Sequence, residues 1–166
     1  MTSLAQISVL IVDDNQSMRS IASSVLISMG IRNILEAADG ATALAMLQNR
    51  VVDLALVDFN MRPLDGIEFT RLVRNSPDAP QPYLPIIMMT GHADKTRVNE
   101  ARDAGVTEFM VKPITAKALI DRMQAIIMRP RPFIKTDEFF GPDRRRSTNP
   151  AKNRNRRRSD LQSIDI

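Results

Sequence analysis

Five residues of this 166-residue chain could do chemistry together if the fold brings them to one place: Asp13, Asp14, Asp58, Thr90 and Lys112. Asp58 stands where the apolar run Leu54–Val57 gives way to loop residues, Asn60, Pro63, Asp65 and Gly66. Asp13 and Asp14 close the run Ile7–Val12, Thr90 closes PIIMMT, and Lys112 follows Val106–Val111. Carboxylates gathered in one crevice repel each other and favour a hard divalent cation. Mg²⁺ suits one or two carboxylates, a carbonyl, waters and a phosphate oxygen. The Lys112 ammonium and the Thr90 hydroxyl would complement an anion that joins the metal. Asp58 lies between them and can serve as a carboxylate nucleophile toward phosphorus. The chemistry is then phosphoryl transfer that works by positioning and charge neutralisation. Singly, each residue has a bland use as a helix cap, a strand-end residue or a solvated lysine. Four strand ends in order, each with the polar group one site needs, make the set specific.

The elements that must position these residues follow from hydrophobic pattern. Leu54–Val57 is apolar without alternation, as in a strand buried on both faces of a parallel sheet; Ile7–Val12, Val52–Asp58, Pro85–Thr90 and Val106–Val111 read as strands, and Asn33–Ala37 as a short one. Between them, apolar residues recur at helical spacing. Met18, Ile21, Ala22, Val25, Leu26 and Met29 form one stripe, capped by Asn15 or Ser17 and ended by Gly30. Asp39 starts a helix with Ala41, Leu44, Ala45 and Leu47 inward. Asp65-Gly66 starts another with Ile67, Phe69, Leu72 and Val73. A thin stripe, Val98 and Ala101, marks Asp94–Ala104, closed by Gly105. Thr115 caps a last helix with Leu119, Ile120, Met123, Ile126 and Ile127 inward. Five strands alternating with five helices predict an α/β fold, a doubly wound parallel sheet with right-handed crossovers. Ligands of such sheets bind outside the carboxyl ends of the strands, where Asp58 falls.

The absence of cysteine excludes a disulfide framework, a thiolate metal site and a Cys nucleophile, and fits a reducing cytoplasm. No apolar run approaches the ~20 residues of a membrane span. The net charge of +4 hides a division along the chain. Residues 129–166 carry 11 basic and 5 acidic residues, and residues 1–128 carry 12 and 14. The reading is a globular domain over residues 5–128 and a basic tail over 129–166, mostly disordered, with apolar residues only at Phe133-Ile134 and Phe139-Phe140.

Residues 5–128 resemble the receiver domain of two-component response regulators of the chemotaxis-regulator type. VLIVDDNQSMR is similar to the family's first strand and acidic pair, DFNMRPLDG to its phosphoacceptor loop, MMTG to its strand-four hydroxyl motif and VKP to its lysine-proline pair. The resemblance implies a flavodoxin-like sheet of order 2-1-3-4-5, Mg²⁺, and phosphorylation of Asp58 by a histidine kinase or a histidine phosphotransfer protein. It implies Asp13, Asp58 and the backbone carbonyl of Asn60 as Mg²⁺ ligands, with Asp14 direct or through water. It gives Thr90 and Lys112 the phosphoryl oxygens and Phe109 the place of a rotating aromatic switch. It also implies a cis Lys112-Pro113 peptide, X-Pro being the usual place for one. One departure stands in the loop: proline follows Met61 only after Arg62.

The expected function is a phosphorylation-controlled switch rather than an enzyme, signalling through contacts with a downstream protein target. A second reading is non-specific binding of nucleic acid or another anionic surface through Arg144–Arg146 and Arg154–Arg158. A third, an aspartate-nucleophile phosphatase of the haloacid-dehalogenase type, wants a second Asp two residues after the nucleophile, where Asn60 stands.

Overall fold

The computed structural model describes residues 3–92 and 94–144, together with the backbone of residues 162–164. After a 3-10 turn at Leu4–Gln6 come β1 (Ser8–Val12), α1 (Gln16–Ser28), β2 (Asn33–Ala37), α2 (Gly40–Asn49) and β3 (Leu54–Asp58). Then follow α3 (Gly66–Asn75), β4 (Ile86–Thr90), α4 (Lys95–Ala104), β5 (Glu108–Val111) and α5 (Ala116–Met128). The five strands are parallel in the order β2-β1-β3-β4-β5, as the resemblance implied.

The unalternating apolar runs have their reason in the two cores. β3 and β4 are buried at every position. Along the strands, Leu10, Val12, Ala55, Val57, Ile86 and Met88 face α2, α3 and α4. Their neighbours Val9, Ile11, Leu54, Leu56, Ile87 and Met89 face α1 and α5. A period of two on a sheet covered on both sides makes both parities apolar. Each fully buried Leu or Ile contributes about 1.5–3 kcal/mol.

Helix starts follow the expected chemistry. The side chains of Asn15, Asp39, Asp65, Asp94 and Thr115 each accept the backbone N–H three residues on. Such caps are worth about 1 kcal/mol each. Gly30 and Gly105 end α1 and α4 with φ of 94° and 105°. The inward faces are narrower than their apolar stripes. Ala43 and Leu47 are buried on α2 while Ala41 and Ala45 are exposed, and Ile21, Leu72, Ile120 and Ile127 lie exposed at the stripe margins. A helix touches a sheet along one line, so residues about 100° off that line stay in solvent.

The chain after α5 differs from its expected disorder. Phe133–Lys135 (β6) and Phe140–Pro142 (β7) form an antiparallel hairpin, and the backbone of Gln162–Ile164 (β8) pairs with the other edge of β6. The two apolar groups build no core of their own. Instead they cover a site on the parallel-sheet domain. Phe133 is 5% exposed and packs edge-on against Tyr83 at 5.1 Å between centroids, with Phe140 at 5.6 Å from the same ring. Beneath Phe133 lies the guanidinium of Arg74, 5.0 Å from the ring centroid and only 3% exposed as a residue. Arg74 donates to the carbonyls of Gly105 (3.0 Å) and Pro82 (2.8 Å), and burial lowers its pKa to about 9. These contacts lie at the amino edge of the sheet, opposite Asp58. The arginine runs beyond Arg144 lie outside the described residues.

Candidate functional site

The carboxyl edge of the sheet gathers residues from β1, β3, β4 and the turn after β5. Asp13, at the end of β1, is 1% exposed, and Asp58, at the end of β3, is 6% exposed. Asp14 is exposed. One carboxylate oxygen from each of the three lies within 4.8 Å of the others. Lys112 reaches into this group, its Nζ 3.0 Å from Asp58 Oδ1 and 3.2 Å from Asp13 Oδ2. The Lys112-Pro113 peptide is cis, and so is Arg62-Pro63 in the loop after Asp58.

Local chemistry explains why these groups hold still. The Asn15 N–H donates to Asp13 Oδ1 at 2.9 Å while the Asn15 side chain caps α1, so one turn fixes carboxylate and helix together. Arg19 Nη1 donates to the Asp13 carbonyl at 2.8 Å, and Arg19 pairs with Glu36 at 3.5 Å. The Lys112 N–H donates to the Thr90 carbonyl at 2.7 Å, tying the β5 turn to β4. Thr90 is buried, and its Oγ1 accepts the N–H of His92 at 3.2 Å. Asn60 lies exposed two residues after Asp58. Phe109 is half-buried on β5, opposite Met88, against the core that α2, α3 and α4 cover.

Electrostatics in the crevice follow from burial. Desolvation pushes the Asp58 carboxyl above the ordinary 3.8, and the nearby charges of Asp13 and Asp14 add to the rise; the Lys112 hydrogen bond and charge work against it. Burial pulls the Lys112 ammonium down, but the hydrogen bonds and charges of Asp58 and Asp13 outweigh it, and its pKa rises. A site that strains a carboxylate toward its neutral form is one that a cation would relieve. The donors are oxygens throughout, matching a hard cation such as Mg²⁺.

Three contacts had no signal in the sequence, or only a partial one. Gly66 packs so closely that a Cβ there would run into the Asp58 carbonyl and sit 2.8 Å from Met88 Sδ; its sequence signal was that of a turn residue alone. Arg97 of α4 lays its guanidinium over Phe59, the residue after Asp58, at 4.8 Å from the ring centroid. The Arg19 bond to Asp13 joins residues six apart across a loop, and neither arginine has a spacing that announces it.

A 2-1-3-4-5 sheet with an acidic crevice and a lysine at its carboxyl edge defines a signal-receiving α/β domain of two-component systems. The chain belongs to the response regulator receiver domain family, whose model matches residues 9–124. It is 40% identical over 121 residues to the chemotaxis protein CheY of Pseudomonas aeruginosa, covering 73% of this chain and 96% of that protein. The crystal structure of CheY4 from Vibrio cholerae matches with TM-score 0.66 at 32% identity, covering 72% of this chain and 98% of that one. The receiver domain of a Pseudomonas aeruginosa sensor histidine kinase matches with TM-score 0.65 at 27% identity, over 74% of this chain and 98% of that one. That structure has a magnesium ion coordinated in its active-site cleft. The protein is thus a homologue of phosphorylation-activated response regulators. Among the described residues, no helix is long and apolar enough to cross a membrane.

Proposed function

We propose that Asp58 accepts a phosphoryl group from the phosphohistidine of a histidine kinase or phosphotransfer protein, and that residues 5–128 are the accepting unit. The observation that carries this reading is the position of Lys112 Nζ, 3.0 Å from Asp58 and 3.2 Å from Asp13 inside a three-carboxylate crevice. An Asp58 carboxylate oxygen forms the new P–O bond as the P–N bond of the donor imidazole breaks. The imidazole keeps that electron pair and takes up a proton. Asp13, Asp14, Asp58 and the Asn60 carbonyl would hold Mg²⁺, which when bound neutralises charge on the phosphoryl oxygens. Lys112 trades its bond to Asp58 for one to a phosphoryl oxygen, and the Thr90 hydroxyl takes another. Thr90 and Phe109 then relay the change to a downstream protein target. The half-burial of Phe109, at the edge of the core beside Met88, supports this role.

We place this chemistry in the cytoplasm, in keeping with a chain that lacks cysteine. A second partner class, polyanions, has support in the 7 Lys/Arg between residues 145 and 161. A steep fall of binding with salt would test it. For the main reading, the chain is treated with Mg²⁺ and acetyl phosphate and weighed intact. One phosphoryl group should appear, and Asp58→Asn should abolish it; equal labelling of that variant would refute Asp58 as the acceptor.

A further inference from the structure

The hairpin of β6 and β7 is seated where the far ends of α3 and α4 meet the starts of β4 and β5. At the centre two glycines touch: a Cβ on Gly141 would lie 2.8 Å from the Gly105 Cα, and one on Gly105 would lie 3.0 Å from the Phe140 carbonyl oxygen. Around this contact, Tyr83 and Arg74 meet Phe133. Arg144 Nη1 lies 2.7 Å from Asp103 Oδ1 on α4, and Arg131 Nη2 lies 3.0 Å from Glu108 Oε1. Backbone against backbone, ringed by aromatic and ionic contacts, is a built docking surface.

What it docks onto is a thinly held helix. The buried side chains of α4 are two alanines, Ala101 and Ala104. At its amino end Arg97 rests on Phe59, beside Asp58, and Arg97 Nη1 is buried without a hydrogen-bond partner. At its carboxyl end Asp103 and Gly105 are fastened by Arg144 and Gly141. With ten residues the helix spans about 15 Å. It thus runs from the neighbour of Asp58 to the hairpin, fixed more by its ends than by its face.

We propose that the surface of Arg74, Tyr83, Asp103, Gly105 and Glu108 is a docking site for the chain's own hairpin, and that α4 links its occupancy to the phosphoryl state of Asp58. This rests on the reading of Asp58 as acceptor. The docked hairpin accompanies the arrangement in which Lys112 bonds Asp58 directly. A contact that favours one of two states opposes the other, and the coupling is reciprocal. Phosphorylation therefore loosens the hairpin, and loosening the hairpin favours the phosphoryl-bound state.

The test uses the full chain with Mg²⁺ and acetyl phosphate, followed by amide hydrogen exchange of residues 131–144. Exchange there should quicken at least threefold on phosphorylation and stay unchanged in Asp58→Asn treated alike. Gly141→Val, and the milder Arg144→Ala, should each tighten the equilibrium binding of beryllofluoride, a phosphoryl mimic, with Mg²⁺ at least threefold. An intact mass without a phosphoryl group would overturn the acceptor reading and the coupling with it. A phosphorylated chain whose hairpin exchanges no faster, or a beryllofluoride affinity that neither variant tightens, would overturn the coupling alone.

Discussion

Replacing Phe133 with alanine separates a tail that hangs free from one that belongs to the fold. The Phe133 ring is 5% exposed, and burying a Phe is worth about 1.5–3 kcal/mol. Its edge-on pair with Tyr83 at 5.1 Å adds about 0.5–1.5 kcal/mol. The Arg74 guanidinium 5.0 Å from the ring adds about 0.5–2 kcal/mol. The hairpin can release rather than hold a cavity open, which limits the loss to what docking contributes. The low end is therefore expected, about 2.5 kcal/mol, or about 5–10 °C in melting temperature for a chain of this size. The assay is urea unfolding followed by far-UV circular dichroism, with the near-UV signal of Tyr83, the sole tyrosine, reporting the aromatic contact. Phe139→Ala serves as control. That ring is half-buried and carries the Arg144 stack at 4.6 Å, so its loss should be the smaller of the two. A Phe133→Ala loss below about 1 kcal/mol would refute the reasoning, since a side chain away from cooperative packing changes stability by no more than about 0.5 kcal/mol.

Four further outcomes follow from the crevice. Lys112→Met removes the hydrogen bond and charge that hold the Asp58 pKa down, so the acid limb of acetyl phosphate labelling, already above 3.8, should move to higher pH; a limb that stays or falls contradicts the pairing. A carboxyl raised in the folded state stabilises the fold below 3.8 and loses that contribution as pH rises through its folded value. Asp58→Asn should therefore be more stable than the native chain at pH 7, with the gap closing toward pH 3 in paired melts. Mg²⁺ at ten times its dissociation constant should stabilise the native chain by about 1.4 kcal/mol, and Asp13→Asn should lose most of that gain in the same thermal assay. Gly66→Ala should cost about 1–3 kcal/mol by overpacking against the Asp58 carbonyl and Met88, and should depress labelling; an unchanged rate in that variant would show that the acceptor loop can shift freely.

The legible part of this chain was the part where one local pattern decides the outcome. Runs such as Pro85–Thr90 are too apolar and too short to be anything but buried strands, and Ile86–Thr90 forms one. Asn15, Asp39 and Thr115 precede apolar stripes, and each caps its helix. The polar strand ends were legible because a parallel sheet brings its carboxyl ends to one edge, and Asp13, Asp58 and Lys112 meet there. The hairpin was illegible because its strands are three residues long, and Phe-Ile-Lys and Phe-Gly-Pro carry no period to read. Its stability comes from Tyr83, Arg74 and Gly105, whose places beside it are set by the tertiary fold. Arg74 carried no signal of its own, because a buried guanidinium is stable only where carbonyls converge, and Gly105 and Pro82 are 31 and 8 residues away.

The two edges of the parallel sheet are assigned to different company. The groups proposed to receive the phosphoryl lie at the carboxyl edge, and the hairpin of β6 and β7 is seated at the amino edge. A kinase engaging the crevice and a partner engaging the hairpin would therefore stand on opposite poles, with the sheet between them as a spacer. A fluorescent protein or an affinity handle joined to the carboxyl terminus should leave kinase access untouched, whereas the same handle inserted between Asn60 and Asp65 should block it.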